Sequence, residues 1–168
     1  MLDFKKRFCR NDKTCSQSDI KNLENLIGFR LPEDYKNFLL ELNGGFSENM
    51  LLFPLVNKKG KPIRGSIEMF YGIDDESDVG LKYQFDLYHR QQKRMPTGLI
   101  PIGQDAGSNK ICLLLSDIGY GKVFFWDHND EVDFDEDEDE AFEPMRNTML
   151  AAESFTEFLS KLTEDTED

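Results

Sequence analysis

At 168 residues and 39% hydrophobic side chains, the chain is sized for one domain with a single core. Its 14 Phe exclude an intrinsically disordered chain, and no stretch approaches the roughly 20 apolar residues of a membrane-spanning helix. The net charge of −13 is concentrated: eleven acids and no Lys or Arg lie between Asp127 and Glu143, and Glu164, Asp165, Glu167 and Asp168 follow at the end. Setting these fifteen aside leaves eighteen acids against twenty bases, a near-neutral domain carrying two acidic features. Such a field attracts a cationic partner and repels phosphates, which disfavours nucleic acid as a ligand.

The start, Met1 to Arg7, is basic without an apolar run behind it, so no standard secretion signal is expected. Cys9, Cys15 and Cys112 are an odd count without paired spacing, as expected of reduced thiols in the cytoplasm. Ser16-Gln17-Ser18-Asp19 has capping-box spacing. Ile20, Leu23, Leu26 and Ile27 follow on one helical face, and Gly28 is a natural stop. The spacing predicts a helix over 18–28. A second is predicted over 32–43, opened by Leu31-Pro32-Glu33-Asp34 with Pro32 at the first helical position. Tyr35, Phe38, Leu39 and Leu42 form its apolar face, and Asn43-Gly44-Gly45 closes it.

Met50 to Val56 is a short apolar run interrupted by Pro54, which predicts an edge strand or a bulge. After the basic turn Lys58 to Pro62, Ile67, Met69, Tyr71 and Ile73 alternate as in a half-buried strand. Residues 79–90 fit two patterns, a strand through Val79, Leu81, Tyr83, Phe85 and Leu87, or a helix through Leu81, Phe85 and Tyr88 behind a Ser77 or Asp78 cap; the helix is preferred. Ile100 to Gly103 leads into a polar turn, Gln104 to Asn109. Lys110 to Leu115 and Gly121 to Trp126 then read as a hairpin with both faces largely covered. Ser154 caps a last helix whose face is Phe155, Phe158, Leu159 and Leu162. The sum is a single α+β domain: a mixed or antiparallel central sheet with an N-terminal helix pair and a C-terminal helix packed against it.

Leu31-Pro32-Glu33-Asp34-Tyr35-Lys36, Asn43-Gly44-Gly45, Ile100-Pro101-Ile102-Gly103, Gly121 to His128, and Ser154-Phe155 with Phe158-Leu159 occur in this order. Together they resemble the SUKH superfamily, in the branch named for the yeast SMI/KNR cell-wall regulator, over roughly 18–162. The resemblance implies an α+β fold with a mixed central sheet, usually no catalysis, and in bacteria typically an immunity or antitoxin role against a partner toxin, often a nuclease; fungal relatives are regulatory scaffolds. The chain then divides into an N-terminal extension at 1–15, the family domain at 16–163 and an acidic tail at 164–168; the acidic loop at 127–143 is a departure, longer than the family pattern demands. The matched residues Leu31, Pro32, Tyr35, Asn43, Gly44, Gly45, Pro101, Gly103 and Trp126 read as structural.

Catalytic signatures are missing from the sequence. His89 reads as a surface residue, His128 as a turn residue bonded within its own turn, and Cys112 as a small core hydrophobe. No cofactor and no metal site are expected. Asp127, Asn129, Glu131, Asp133, Asp135 and Glu138 do fall at calcium-loop spacing, but Val132 stands where that loop needs glycine. The candidate partner surface is Asp127, Asp130, Glu131, Asp133, Asp135 and Glu136, continued by Asp137, Glu138, Asp139 and Glu140, with Val132 and Phe134 as anchors. The expected partner is a protein, a toxin domain with a basic surface. A regulatory scaffold and a calcium-dependent or carboxylate-based hydrolase are the alternatives.

Overall fold

Ser16 starts the first helix. Its hydroxyl accepts the Asp19 N–H at 3.2 Å while the Asp19 carboxylate accepts the Ser16 N–H at 2.8 Å, the two halves of a capping box. The computed structural model of the protein describes residues 7–10, 12–116, 118–130 and 145–165. In it α1 runs Gln17–Ile27 and ends on Gly28, whose φ of 79° lets its N–H reach the Glu24 carbonyl. Glu24 then fixes the next turn, accepting the Leu31 N–H at 2.8 Å and pairing with Lys36 at 3.2 Å. Helix α2 is Glu33–Leu42. Pro32 stands one residue outside it at the N-cap, not at the first helical position.

The strands are β1 (Phe8–Arg10), β2 (Gly45–Val56), β3 (Pro62–Phe70), β4 (Leu99–Gln104), β5 (Lys110–Leu114), β6 (Val123–Trp126), β7 (Thr148–Ala152) and β8 (Thr163–Glu164). They form one sheet in the order β1 to β7, each pair antiparallel, with β8 added to β2. The antiparallel alternative therefore holds. Pro54 lies past the stretch of β2 that β8 covers, where β3 is the only strand partner among the described residues, the edge position that a residue without an N–H requires. The order brings β7 back near β2, and Phe53 of β2 meets Phe125 of β6 edge-on, so the sheet curls toward a barrel.

Three boundaries differ from the sequence reading. β2 begins five residues before Met50, because β1 and the end of β3 supply partners for Gly45 and Phe46. β3 ends at Phe70, so Tyr71 and Ile73 lie beyond the strand. The 79–90 segment is helical, as α3 (Leu81–Phe85) continuing into a π-helical turn Asp86–Gln91. Its N-cap is Gly80, with no side-chain cap from Ser77 or Asp78.

Helices α1, α2 and α4 (Phe155–Lys161) share one large core with the sheet. In it the rings of Tyr35, Phe38, Phe155, Phe70, Phe158 and Phe53 meet in succession at 4.9–6.3 Å, mostly edge-on. This chain of rings accounts for much of the Phe surplus. A second, smaller core under the π turn gathers Tyr88, Met95, Leu99, Cys112 and Trp126. Among the described residues, no helix is long and apolar enough to cross a membrane.

Candidate functional site

Antiparallel partners lie on the same face of a sheet. The register therefore strings Cys9, Phe46, Met69, Gln104, Lys110, Trp126 and Thr148 into one row, strand by strand from β1 to β7. Three features sit along this row: a groove at Phe46 and Met69, a buried polar centre at Lys110, and the origin of the acidic run just after Trp126.

The groove, of about 420 Å³, lies between the start of β2, the end of β3 and the 74–80 loop. Asn43 builds its wall. This residue caps α2 in the left-handed conformation (φ 50°), and its side chain reaches into the loop's base. Its Nδ2 donates to the Lys13 carbonyl (3.0 Å) and the Ile73 carbonyl (3.2 Å), and its Oδ1 accepts the Ile73 N–H (2.7 Å). Gly44, at φ 82°, packs so close that a Cβ there would stand 2.7 Å from the backbone of residues 70–72. A bridge between Gly72 and Gly80 and the Leu81 N–H to the Gly72 carbonyl (2.9 Å) close the neck of the loop. The outcome is a rigid lip carrying Asp74, Asp75, Glu76 and Asp78.

At the centre of the row Lys110 is 4% exposed. Its ammonium donates to the Tyr71 hydroxyl (2.9 Å) and to Gln104 Oε1 (3.0 Å), over the rings of Tyr71 and Tyr88. Tyr71 also donates to Gln104 Oε1 at 2.7 Å. Burial pushes the Cys112 thiol far up and so keeps it protonated, while desolvation pulls the Lys110 pKa below its ordinary value in a site that is closed to solvent. Trp126 is fully buried, edge-on to Tyr88 at 5.5 Å, and Arg94 lies over both rings.

The acidic run starts from an ordered root. Asp105 accepts the N–H groups of Gly107 and Asn109 and holds the Asn109 amide, all at 2.9 Å. Asn109 Oδ1 in turn accepts from the His128 backbone N–H (3.1 Å) and Nδ1 (2.8 Å). His128 thus bonds across to a different turn, not within its own. Asp127 spends its carboxylate on the Asn129 N–H (2.9 Å), and its backbone exchanges two bonds with Asn147 (2.8 and 2.9 Å). The run therefore leaves and returns through a clasp. Asp130 pairs with Lys58 of the β2–β3 turn. Glu131, Asp133, Asp135, Glu136, Asp137, Glu138, Asp139 and Glu140 lie outside the described residues. Among the described residues no cluster of His, Cys, Asp or Glu could hold a metal.

The remaining motif residues are buried or partly buried. Leu31 and Tyr35 join the large core, the Tyr35 hydroxyl lacking a partner among the described residues. Gly45 opens β2 opposite Phe70. Pro101 faces Cys112 beside a bulge, and a Cβ on Gly103 would lie 2.6 Å from the Met69 carbonyl. His89 is half-buried, contrary to the surface reading. Its Nε2 donates to the Leu99 carbonyl at 2.7 Å, its ring stacks on Phe85, and desolvation lowers its pKa. Lys110 and the groove went unread in the sequence. Their one visible signal was a lysine opening an otherwise apolar run.

One antiparallel sheet with helices packed on a shared core is the α+β frame that carries these residues. The chain belongs to the SMI1 / KNR4 family (SUKH-1), whose model matches residues 14–161. It is also 31% identical over 163 residues to the SPbeta prophage-derived uncharacterized protein YokK of Bacillus subtilis (strain 168), a match covering 89% of this chain and 76% of that protein.

Proposed function

We propose that the protein is a non-enzymatic, cytoplasmic immunity protein that neutralises a basic, nuclease-type toxin domain by setting carboxylates where the toxin holds phosphates. The observation that carries this reading is the concentration of eleven acids between Asp127 and Glu143, on a family domain otherwise close to neutral. The bonds between Asp127 and Asn147, which hold the described residues on either side of the run together, support it. Kinship with a prophage-derived protein suits a gene carried beside a toxin. Binding without catalysis is supported by Lys110 and Cys112, the groups best placed for nucleophilic chemistry, being enclosed. On this reading 16–163 is the binding domain and 127–143 its partner surface, with association steered by charge and slowed by salt.

The test is co-purification with the product of the adjacent gene, followed by a nuclease assay. One-to-one binding that abolishes activity is expected. Binding that leaves activity intact would favour a regulatory scaffold. Metal-dependent hydrolysis by this chain alone, lost on substitution of one carboxylate or His128, would overturn the reading.

A further inference from the structure

We propose that the groove between β2, β3 and the 74–80 loop docks an extended partner segment bearing an apolar side chain flanked by Lys or Arg, as a second contact beside the acidic run. The inference rests on the reading of the chain as a protein-binding module and names where, and by what chemistry, the partner is gripped. The groove is apolar at its mouth: Phe46 is 55% and Val79 41% exposed, flanking partly buried Met69 and the Cys9 thiol. Phe46 and Val79 line the same groove, and contiguous exposed apolar surface, unlike a singly exposed side chain, marks an interaction site. Burial and the neighbouring Glu48 carboxylate, to which Cys9 donates at 3.6 Å, keep that thiol protonated. It therefore adds no charge to the floor.

The rim is acidic. Asp12 and Asp74 line the groove, Asp75, Glu76 and Asp78 stand on its lip, and Glu48 follows Phe46 on β2. Lys13, set among them, is held by Asp74 at 2.7 Å and Glu76 at 3.5 Å. An apolar slot ringed by carboxylates selects a hydrophobic side chain with cationic neighbours and repels an acidic or phosphorylated segment. A small molecule is the poorer occupant, because it would leave Phe46 and Val79 at the mouth uncovered. The lip is preformed by Asn43, Gly44 and Gly80; a Cβ on Gly80 would stand 2.3 Å from the Asp74 carbonyl. Little ordering cost then falls on binding.

One partner can reach both places. Met69 and Trp126 are three strand spacings apart along the row, about 14 Å. A standard interface of roughly 800 Å² per partner spans about twice that.

The test uses the full chain and a synthetic peptide, acetyl-Gly-Lys-Arg-Leu-Phe-Lys-Arg-Gly-amide, followed by amide NMR. Shifts centred on Phe46, Met69, Val79 and Gly80 are expected. They should vanish for a peptide with Ser in place of Leu and Phe, and fall about tenfold in affinity for the F46S/V79S variant with its melting temperature retained. Shifts confined to 127–143, or equal affinity of the double variant, would overturn the proposal. The adjacent-gene protein separates the two readings. If it binds wild type and F46S/V79S equally, the groove fails and the immunity reading stands. If it does not bind while the peptide fills the groove, the groove stands and the immunity reading fails.

Discussion

Lys110 carries the strongest conflict between charge and burial among the described residues. Its pKa is lowered in the folded chain, so between the folded value and the ordinary value near 10.4 the unfolded chain binds more protons. The destabilisation is full below the folded value and is relieved as pH rises through that window. Met in its place removes the charge and leaves the Tyr71–Gln104 bond, a change that is often neutral or stabilising at a buried ion. Urea unfolding of Lys110→Met beside wild type should therefore show wild type gaining on the variant as pH rises toward the ordinary lysine value. A pH-independent difference would contradict this account. Asn43 is the other residue whose side chain does what no neighbour can. Asn43→Ala removes three bonds to Lys13 and Ile73 and puts Ala in a left-handed conformation; a loss of about 2–4 kcal/mol is expected from chemical denaturation. A loss under about 1 kcal/mol would mean that the lip stands without it.

At the scale of elements, local chemistry decides the helices and neighbours decide the strands. Ser16→Ala removes half of a capping box and should cost about 1 kcal/mol. Phe155→Ala opens the ring cluster that joins α4, α2 and β3 and should cost about 3–5 kcal/mol. Thermal or urea unfolding measures both, and the reverse ranking would contradict the packing described. The same contrast explains what the sequence disclosed. α1, α2 and α4 were legible because Ser16 and Gly28, Pro32 and Asn43, and Ser154 mark their ends. β1 and β7 were not. Phe8–Arg10 is too short to show a period, and Thr148–Ala152 is rich in Met, Leu and Ala, which favour helix until β6 offers an edge to pair with. The groove was illegible for a different reason. Asp12, Phe46, Met69 and Val79 are scattered along the chain, and only the register of β1, β2 and β3 brings their segments together.

For the whole molecule, the sheet is the frame from which the acidic run departs after Trp126, and among the described residues Asp127 and Asp130 are the acids of that run. Reversing Asp133, Asp135 and Asp137 to Lys should leave the melting temperature nearly unchanged, since mutually repelling carboxylates contribute little to folding. The same variant tests the proposed partner surface. Each rim pair lost costs about 0.2–1 kcal/mol of affinity, while a desolvated central pair costs about 2–5 kcal/mol, so the size of the effect locates the run within the interface.

The most direct measurement is the association rate of the chain with the adjacent-gene protein, followed by stopped flow from about 20 to 300 mM salt. An acidic surface that steers a basic partner gives a fast wild-type rate falling steeply with salt, and a slower, flatter profile for the D133K/D135K/D137K variant. Superimposable profiles for the two proteins would contradict the account and leave the acidic run a solubilising segment.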